Sequence, residues 1–306
     1  MNRQVTDIAA KQVTFGLSLL VIFLMLTIGV GLFLKAKPVL AHQSLTSIIS
    51  STNWHPSQHQ FGLGGFIVGT LWVTLIAIVL AVPLSLLTAI FLSEYAPRRL
   101  REVIKPLVDL LAGISPVIFG VWGVVAVVPL VRDHLMPLLS EKLPFFPFVS
   151  ENYTGFSALT AGIVLAVMTV PIILSIMDEV LRGIPFEVRE ASLALGATRW
   201  QTIKKAVLKK AWPGFVAAII LGLSRAFGET IAVLMVAGCS LGIWPKGVFD
   251  PAYPLPALIA NTYGEMMSVP LYESAIMMAA FILLLVTVVF NMIGWGILFR
   301  MERRQV

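Results

Sequence analysis

The chain has 306 residues, 58% of them hydrophobic and 12% charged, with a formal net charge of +6 and a mean hydropathy of +0.91. Soluble domains carry about 45–50% apolar and about 25% charged residues, so this composition describes a polytopic membrane protein with no soluble domain of useful size. Its single cysteine, Cys239, excludes an internal disulfide and any multi-cysteine metal or cluster site. The basic residues fall mostly in a few membrane-flanking loops, so the positive charge is not a nucleic-acid signal.

A bilayer needs ~20 consecutive apolar residues. Six stretches meet that length: residues 14–34, 65–92, 107–131, 157–177, 214–238 and 274–299. The first has Lys11 before it and small residues after it, as a secretory signal does. Its apolar run exceeds the about 7–15 residues of a signal core, which favours a retained helix. Six spans put both termini on one side. Taking that side as cytoplasmic, sixteen Lys and Arg lie inside: Arg3 and Lys11; Arg98, Arg99, Arg101 and Lys105; Arg182, Arg189, Arg199, Lys204, Lys205, Lys209 and Lys210; Arg300, Arg303 and Arg304. Five lie outside: Lys35, Lys37, Arg132, Lys142 and Lys246. The bias sets the expected topology.

The outer connections are long. Residues 35–64 are rich in Ser, Gln and His; 132–156 contain Pro137, Pro144 and Pro147 with Phe145, Phe146 and Phe148; 239–273 contain Pro245, Pro251, Pro254, Pro256 and Pro270. Such loops either receive a soluble partner or pack over their own helices. His55 and His59 stand four apart with His42 nearby, but Pro56 and the loop context favour solvated histidines over a metal site. Within the spans, Pro83, Pro116, Pro129 and Pro171 kink helices or mark their ends. Gly113, Gly120 and Gly123 offer small surfaces for close helix approach. Ser115-Pro116 reads as a mid-span break that frees carbonyls into a cavity, or as a packing kink.

Residues 183–210 form the most distinctive inner segment. Pro185 suits the first position of a helix. A short helix over 186–195 follows, with Glu187 in its first turn, where negative charge is favoured. Gly196 is placed to stop it in a left-handed conformation. Thr198-Arg-Trp-Gln201 is a capping-box pattern that starts a second helix, with Lys204, Lys205, Lys209 and Lys210 toward water or headgroups. Two short helices joined by a specified turn read as a docking element or as an interfacial amphipathic helix.

In the fifth stretch Arg225 and Glu229 stand near the middle of an apolar run. A charge at membrane depth costs about 2.5–3.5 kcal/mol on insertion scales. At i and i+4 the two share a helix face and are expected to pair. Either they belong to a transport path or they are an ion pair that only packs helices.

Two sets of residues carry a family resemblance. Glu190-Ala-Ser-Leu-Ala-Leu-Gly196 resembles the Glu-Ala-Ala, three residues, Gly loop of ABC importer permeases, ahead of the penultimate span as in that family. Ser192 replaces the second Ala, and Pro213 comes about four residues late, with Lys209 where the family has its Pro. Leu221-Gly-Leu-Ser-Arg225-Ala-Phe-Gly-Glu229-Thr-Ile-Ala-Val233 is similar to the Leu-Gly-Leu-Gly-Arg-Ala-Leu-Gly-Glu-Thr-Met-Ala-Val of PstC-type permeases of the high-affinity phosphate importer. PstA-type permeases follow their Gly-Glu-Thr with Ala-Pro, so Ile231-Ala232-Val233 favours the PstC type. Thr70 to Thr74, Ala81 to Pro83 and Ser93-Glu-Tyr-Ala-Pro97 are similar too. Leu110 to Gly120 resembles the family's stretch with Pro and Ser exchanged.

The resemblance covers roughly residues 65–299. It implies an all-α membrane protein with the six-helix type I ABC importer permease fold: an N-terminal part (1–64), a permease core (65–299) with a coupling loop (183–210), and a tail (300–306). It implies a multi-pass subunit of the bacterial inner membrane that conducts phosphate. Its partners would be a second permease of the PstA type, an ATP-binding subunit dimer and an extracytoplasmic phosphate-binding protein. Arg225 and Glu229 would line the substrate path; Glu190, Ala191 and Gly196 would couple to the ATPase. The chain has no Gly-rich phosphate cradle with its Lys, so no catalytic residue, cofactor or metal is expected. The rival readings are a permease for another oxyanion, such as sulfate or molybdate, and a stand-alone secondary transporter, which needs no 190–196 loop.

Overall fold

The computed structural model describes residues 2–142, 154–264 and 268–302. Pro144, Phe145, Phe146, Pro147 and Phe148 of the outer connection, and Arg303 and Arg304 of the tail, lie outside them. Six helices among the described residues are long and apolar enough to cross a membrane: Ala10–His42, Gly64–Tyr95, Pro116–Lys142, Ala158–Arg182, Arg199–Gly228 and Pro270–Met301. They correspond one to one with the six stretches read from the sequence.

The third span differs at both ends, each for a local reason. The third span begins at Pro116 and not at residue 107. Residues 98–112 form a separate helix, Arg98–Ala112, with no buried residue. Leu107, Leu110 and Leu111 made its end look like part of the span. Ser115 is extended (ψ 138°) and Pro116 opens the next helix, so the pair marks a helix start and not a mid-span break. Residues 132–142, read as outer loop, continue the third span as helix. Two π-helical turns, Gly123–Val127 and Val131–Leu135, flank Pro129, which has no N–H to give the ladder.

The fifth span is also displaced. It runs Arg199–Gly228, continuous with the second loop helix, and not from 214 to 238. Pro213 lies within it, so the late proline does not end that helix.

The second and fourth spans form the centre of the bundle. Val73, Ile76 and Ala77 bury against Ala161, Val164 and Leu165, with Phe215 and Ala218 of the fifth span in the same core. Small residues set the approach. A Cβ on Gly123 would stand 2.7 Å from Val164 Cγ2 and 2.8 Å from Val236 Cγ1, so the third span touches its neighbours through hydrogen alone. Gly120 is equally close to Met235. Gly113, by contrast, only follows the helix Arg98–Ala112 and packs no neighbouring helix.

A second core lies at the opposite end from the 183–210 loop. A two-stranded hairpin, Trp54–His55 paired antiparallel with Gln60–Phe61, packs Trp54 and Phe61 with Phe66, Tyr253 and Tyr272. Ser274 Oγ accepts from Val39 N–H at 2.9 Å, and Lys35 pairs with Glu273 at 2.6 Å, which joins the first helix to the last. The described parts of the connections 35–64 and 239–264 thus pack over their own helices. His42 and His59 are ring neighbours, but no group of three or more metal-ligating side chains occurs among the described residues. The first helix exposes Phe15, Val21, Phe23 and Leu26, an apolar face suited to lipid.

Candidate functional site

The 183–210 segment folds as its turn residues dictate. The loop helix is Phe186–Ala194; Pro185 stands one position earlier than expected, as its N-cap. Leu195 follows, then Gly196 at φ +80°. Gly196 N–H donates to Leu193 O at 2.9 Å and Ala197 N–H to Ser192 O at 3.3 Å, the two bonds of a Schellman stop. Thr198 Oγ1 accepts from Gln201 N–H at 3.3 Å, and Gln201 Oε1 accepts from Thr198 N–H at 2.9 Å. Both halves of the capping box are present.

The helix these bonds frame carries no buried residue. Glu190, Ala191 and Gly196, the residues singled out in the sequence, are all exposed. The structure adds an apolar set beside them: Leu195 is 89% exposed, with Phe186, Leu193 and Trp200 also open. Val188, Arg189 and Ser192 are the half-buried side of this helix, and the motif does not encode which side is open. A short, rigidly capped helix with an apolar surface is suited to insertion into a groove on another protein.

One side of this loop is anchored. Arg189 Nη2 pairs with Glu94 Oε1 at 2.7 Å, and the two side chains are 15% and 8% exposed. Arg189 also donates to the carbonyls of Ile184 (2.8 Å) and Leu181 (3.0 Å). Removing one partner of such a buried pair costs about 3–5 kcal/mol. Arg101 donates to Leu92 O at 2.8 Å and Ser93 O at 2.7 Å, and Arg199 donates to Glu94 O and lies over the Tyr95 ring. Three arginines thus satisfy the π-helical end of the second span, Phe91–Tyr95. Sequence reading counted them only as inside charges. The 95-residue separation of Glu94 and Arg189 left no local signal of their pairing.

The intramembrane pair needs correction. Arg225 lies in the last turn of its helix, which ends at Gly228. Glu229 is extended (φ −72°, ψ 126°), and a new short helix, Ile231–Val236, begins after Thr230. The i, i+4 relation therefore does not exist, and no ion pair joins Arg225 to Glu229 among the described residues. Arg225 is exposed at the helix C-terminus, where the free carbonyls favour a cation. Glu229 is half-buried, and its Oε1 accepts from Thr230 N–H at 3.1 Å. The break also puts the two residues at the far end of the fifth span and not at its middle. Leu221, Arg225 and Gly228 share an open stripe of this helix. Nearby, Ser224 Oγ donates to Asn291 Oδ1 at 2.7 Å, a bond between the fifth and sixth spans that sequence reading did not identify. It borders a cavity of about 610 Å³ lined mainly by apolar side chains of the first, fifth and sixth spans.

Comparison with known proteins places this geometry. The family model for the inner-membrane component of binding-protein-dependent transport systems matches residues 81–303. The phosphate transport system permease protein PstC of Xylella fastidiosa is 37% identical over 263 residues, 85% of this chain and 80% of that protein. PstC of Pasteurella multocida is 33% identical over 100% of this chain and 95% of that protein. Among solved structures, a chain of a bacterial alginate ABC transporter in complex with an alginate-bound periplasmic protein superposes with a TM-score of 0.59. It is 14% identical, with 96% of each chain covered. A chain of the inward-facing MetNI methionine ABC transporter gives 0.54 at 20% identity, covering 76% of this chain and 93% of that one. The fold is that of type I ABC importer permeases.

Proposed function

Because this chain belongs to the family of inner-membrane components of binding-protein-dependent transport systems, we propose that it is the phosphate-conducting permease subunit of an ATP-driven importer. It has no ATPase site of its own and is moved by hydrolysis on a separate ATP-binding subunit dimer. A PstA-type permease completes the conduit, and an extracytoplasmic phosphate-binding protein delivers the anion. The observation that carries the reading is the capped helix Phe186–Ala194, anchored on one side and open on the other at Glu190, Ala191 and the following Leu195. A stand-alone transporter has no use for such an element.

Residues 1–64 serve as an anchoring helix with an outer cap, 65–299 as the permease core, and 300–306 as a cytoplasmic tail. The charge bias puts both termini and the 183–210 loop in the cytoplasm of a bacterial cell. Glu190, Ala191 and Gly196 then face the ATPase. Arg225, on the open stripe of the fifth span, meets the anion: its planar guanidinium fork suits phosphate geometry. Glu229 lies at the helix break next to it and acts in gating. The 33–37% identity to proteins named as phosphate permeases supports phosphate over sulfate or molybdate.

The test is labelled-phosphate uptake by cells lacking and then regaining this chain, with sulfate and molybdate as competitors. Uptake should return with the chain and resist both competitors. Restored uptake of sulfate or molybdate in place of phosphate would overturn the substrate assignment.

A further inference from the structure

The loop helix is tied by the chain to only two spans. Gly183-Ile184-Pro185 joins it to the fourth and Gly196-Ala197-Thr198 to the fifth. The second span has no covalent route to it. The helix has no fully buried residue; Val188 is partly buried against the main core, and the Ser192 and Thr202 hydroxyls, 2.9 Å apart, tie it to the fifth span, so none of these contacts reaches the second span. A cavity of about 680 Å³ lies beside the helix, lined by Glu94, Ile184, Phe186, Arg189, Leu193 and Ile203 among others. The hydrogen-bonded connection to the second span is Arg189. It donates through Nε and Nη2 to both oxygens of Glu94 while holding the last carbonyls of the fourth span. Glu94 is itself fixed: Arg101 and Arg199 hold the backbone carbonyls of Leu92, Ser93 and Glu94.

We propose that the Glu94–Arg189 pair is a positioning element that makes the loop helix and the second span move as one body. Displacement of the loop by the hydrolysing subunit then reaches the second span directly. The second span shares the bundle core with the fourth and fifth, so one buried contact carries the movement to the centre of the permease. A carboxylate on two guanidinium nitrogens resists both sliding and tilting, which a single apolar contact does not. This inference rests on the permease reading above, and its test separates the two.

The assay uses the complete complex in proteoliposomes, with basal ATP hydrolysis, hydrolysis stimulated by the loaded binding protein, and uptake measured together. Glu94→Gln keeps the side-chain volume and removes the charge. It should retain the ATPase subunit and basal hydrolysis, while the stimulated part of hydrolysis and uptake fall about tenfold or more. Glu94→Asp, which keeps the pair, should stay within about threefold of the wild type. Should Glu94→Gln fail to assemble, Arg189→Lys gives the same reading, since it keeps the charge and loses the two-point grip. Full stimulation in Glu94→Gln overturns the proposal. Loss of assembly in both Glu94→Gln and Arg189→Lys also overturns it, by making the pair a folding contact only. A wild-type complex stimulated by a binding protein loaded with another oxyanion overturns the phosphate assignment alone, because the ratio of stimulated to basal hydrolysis can still be read.

Discussion

The fifth span is broken at both ends, and the two breaks are made differently. Before it, Leu195 to Thr198 form a turn whose parts are all local: Gly196 at φ +80°, a Schellman stop and a complete capping box. After it, Gly228 to Thr230 interrupt the helix with no left-handed glycine and no side-chain cap on the following helix. That second break is set by packing. Ala232, Val233 and Val236 are buried, and the short helix that carries them lies against Gly120, Gly123 and Val164. A break encoded in its own side chains is legible in sequence; a break imposed by neighbours is not.

The largest expected effect is at the local break. Proline holds φ near about −65° and cannot occupy the +80° position, so Gly196→Pro removes the stop. The variant should insert but lose all response of ATP hydrolysis to the loaded binding protein. Glu190→Lys with Ala191→Glu should do the same by changing the exposed face and not the fold. Normal uptake in either would reduce the loop to an ordinary interfacial helix.

Next in size is the second break. Arg225→Gln should abolish phosphate uptake while assembly with the ATPase survives. The double variant Arg225→Gln with Glu229→Gln should also be inactive. The two residues do not pair in the folded chain, so neutralising Glu229 relieves nothing left by the first change. Restored uptake in the double variant would mean that they function only as a structural pair.

These two segments show what could be read and what could not. The six spans, the loop turn, the capping box and the close packing at Gly120 and Gly123 were all visible, because hydropathy and turn chemistry are local properties. The start of the third span was misplaced, since Leu107, Leu110 and Leu111 are apolar wherever their helix lies. Arg225 and Glu229 were identified as unusual, but their geometry depended on a helix end fixed by the burial of Val233 and Val236. Glu94 and Arg189 were invisible as a pair because nothing near either residue announces the other. The outer connection from 132 looked like loop because Arg132, Asp133 and His134 interrupt the hydropathy, yet the helix runs to Lys142.

A moderate effect is expected where packing sets the second break. Gly123→Leu forces a side chain into Val164 and Val236 and should destabilise the protein by about 1–3 kcal/mol, measured as a lowered thermal midpoint in detergent. An unchanged midpoint would mean that the third span and the Ile231–Val236 helix are not in tight contact.

The smallest effect is chemical. Cys239 follows this region, and burial pushes its thiol up to about 11 from an ordinary 9.0. The neutral thiol is the favoured form, so at pH 7.5 it carries about 100-fold less thiolate than an ordinary cysteine and should react slowly with a maleimide. The rate should rise with pH toward 11. A cysteine placed at the 89%-exposed Leu195 should label rapidly at pH 7.5 in the same protein. Equal rates at the two sites would contradict the difference in burial.

The central claim is that this chain is a phosphate conduit driven through its loop by another subunit's hydrolysis. It is tested most directly by labelled-phosphate uptake into proteoliposomes holding the complete complex, with ATP or a non-hydrolysable analogue on the ATPase side. The account predicts accumulation that requires hydrolysable ATP, the binding protein and an intact Gly196. Phosphate accumulation by this chain without the ATPase, or with the analogue in place of ATP, would contradict it.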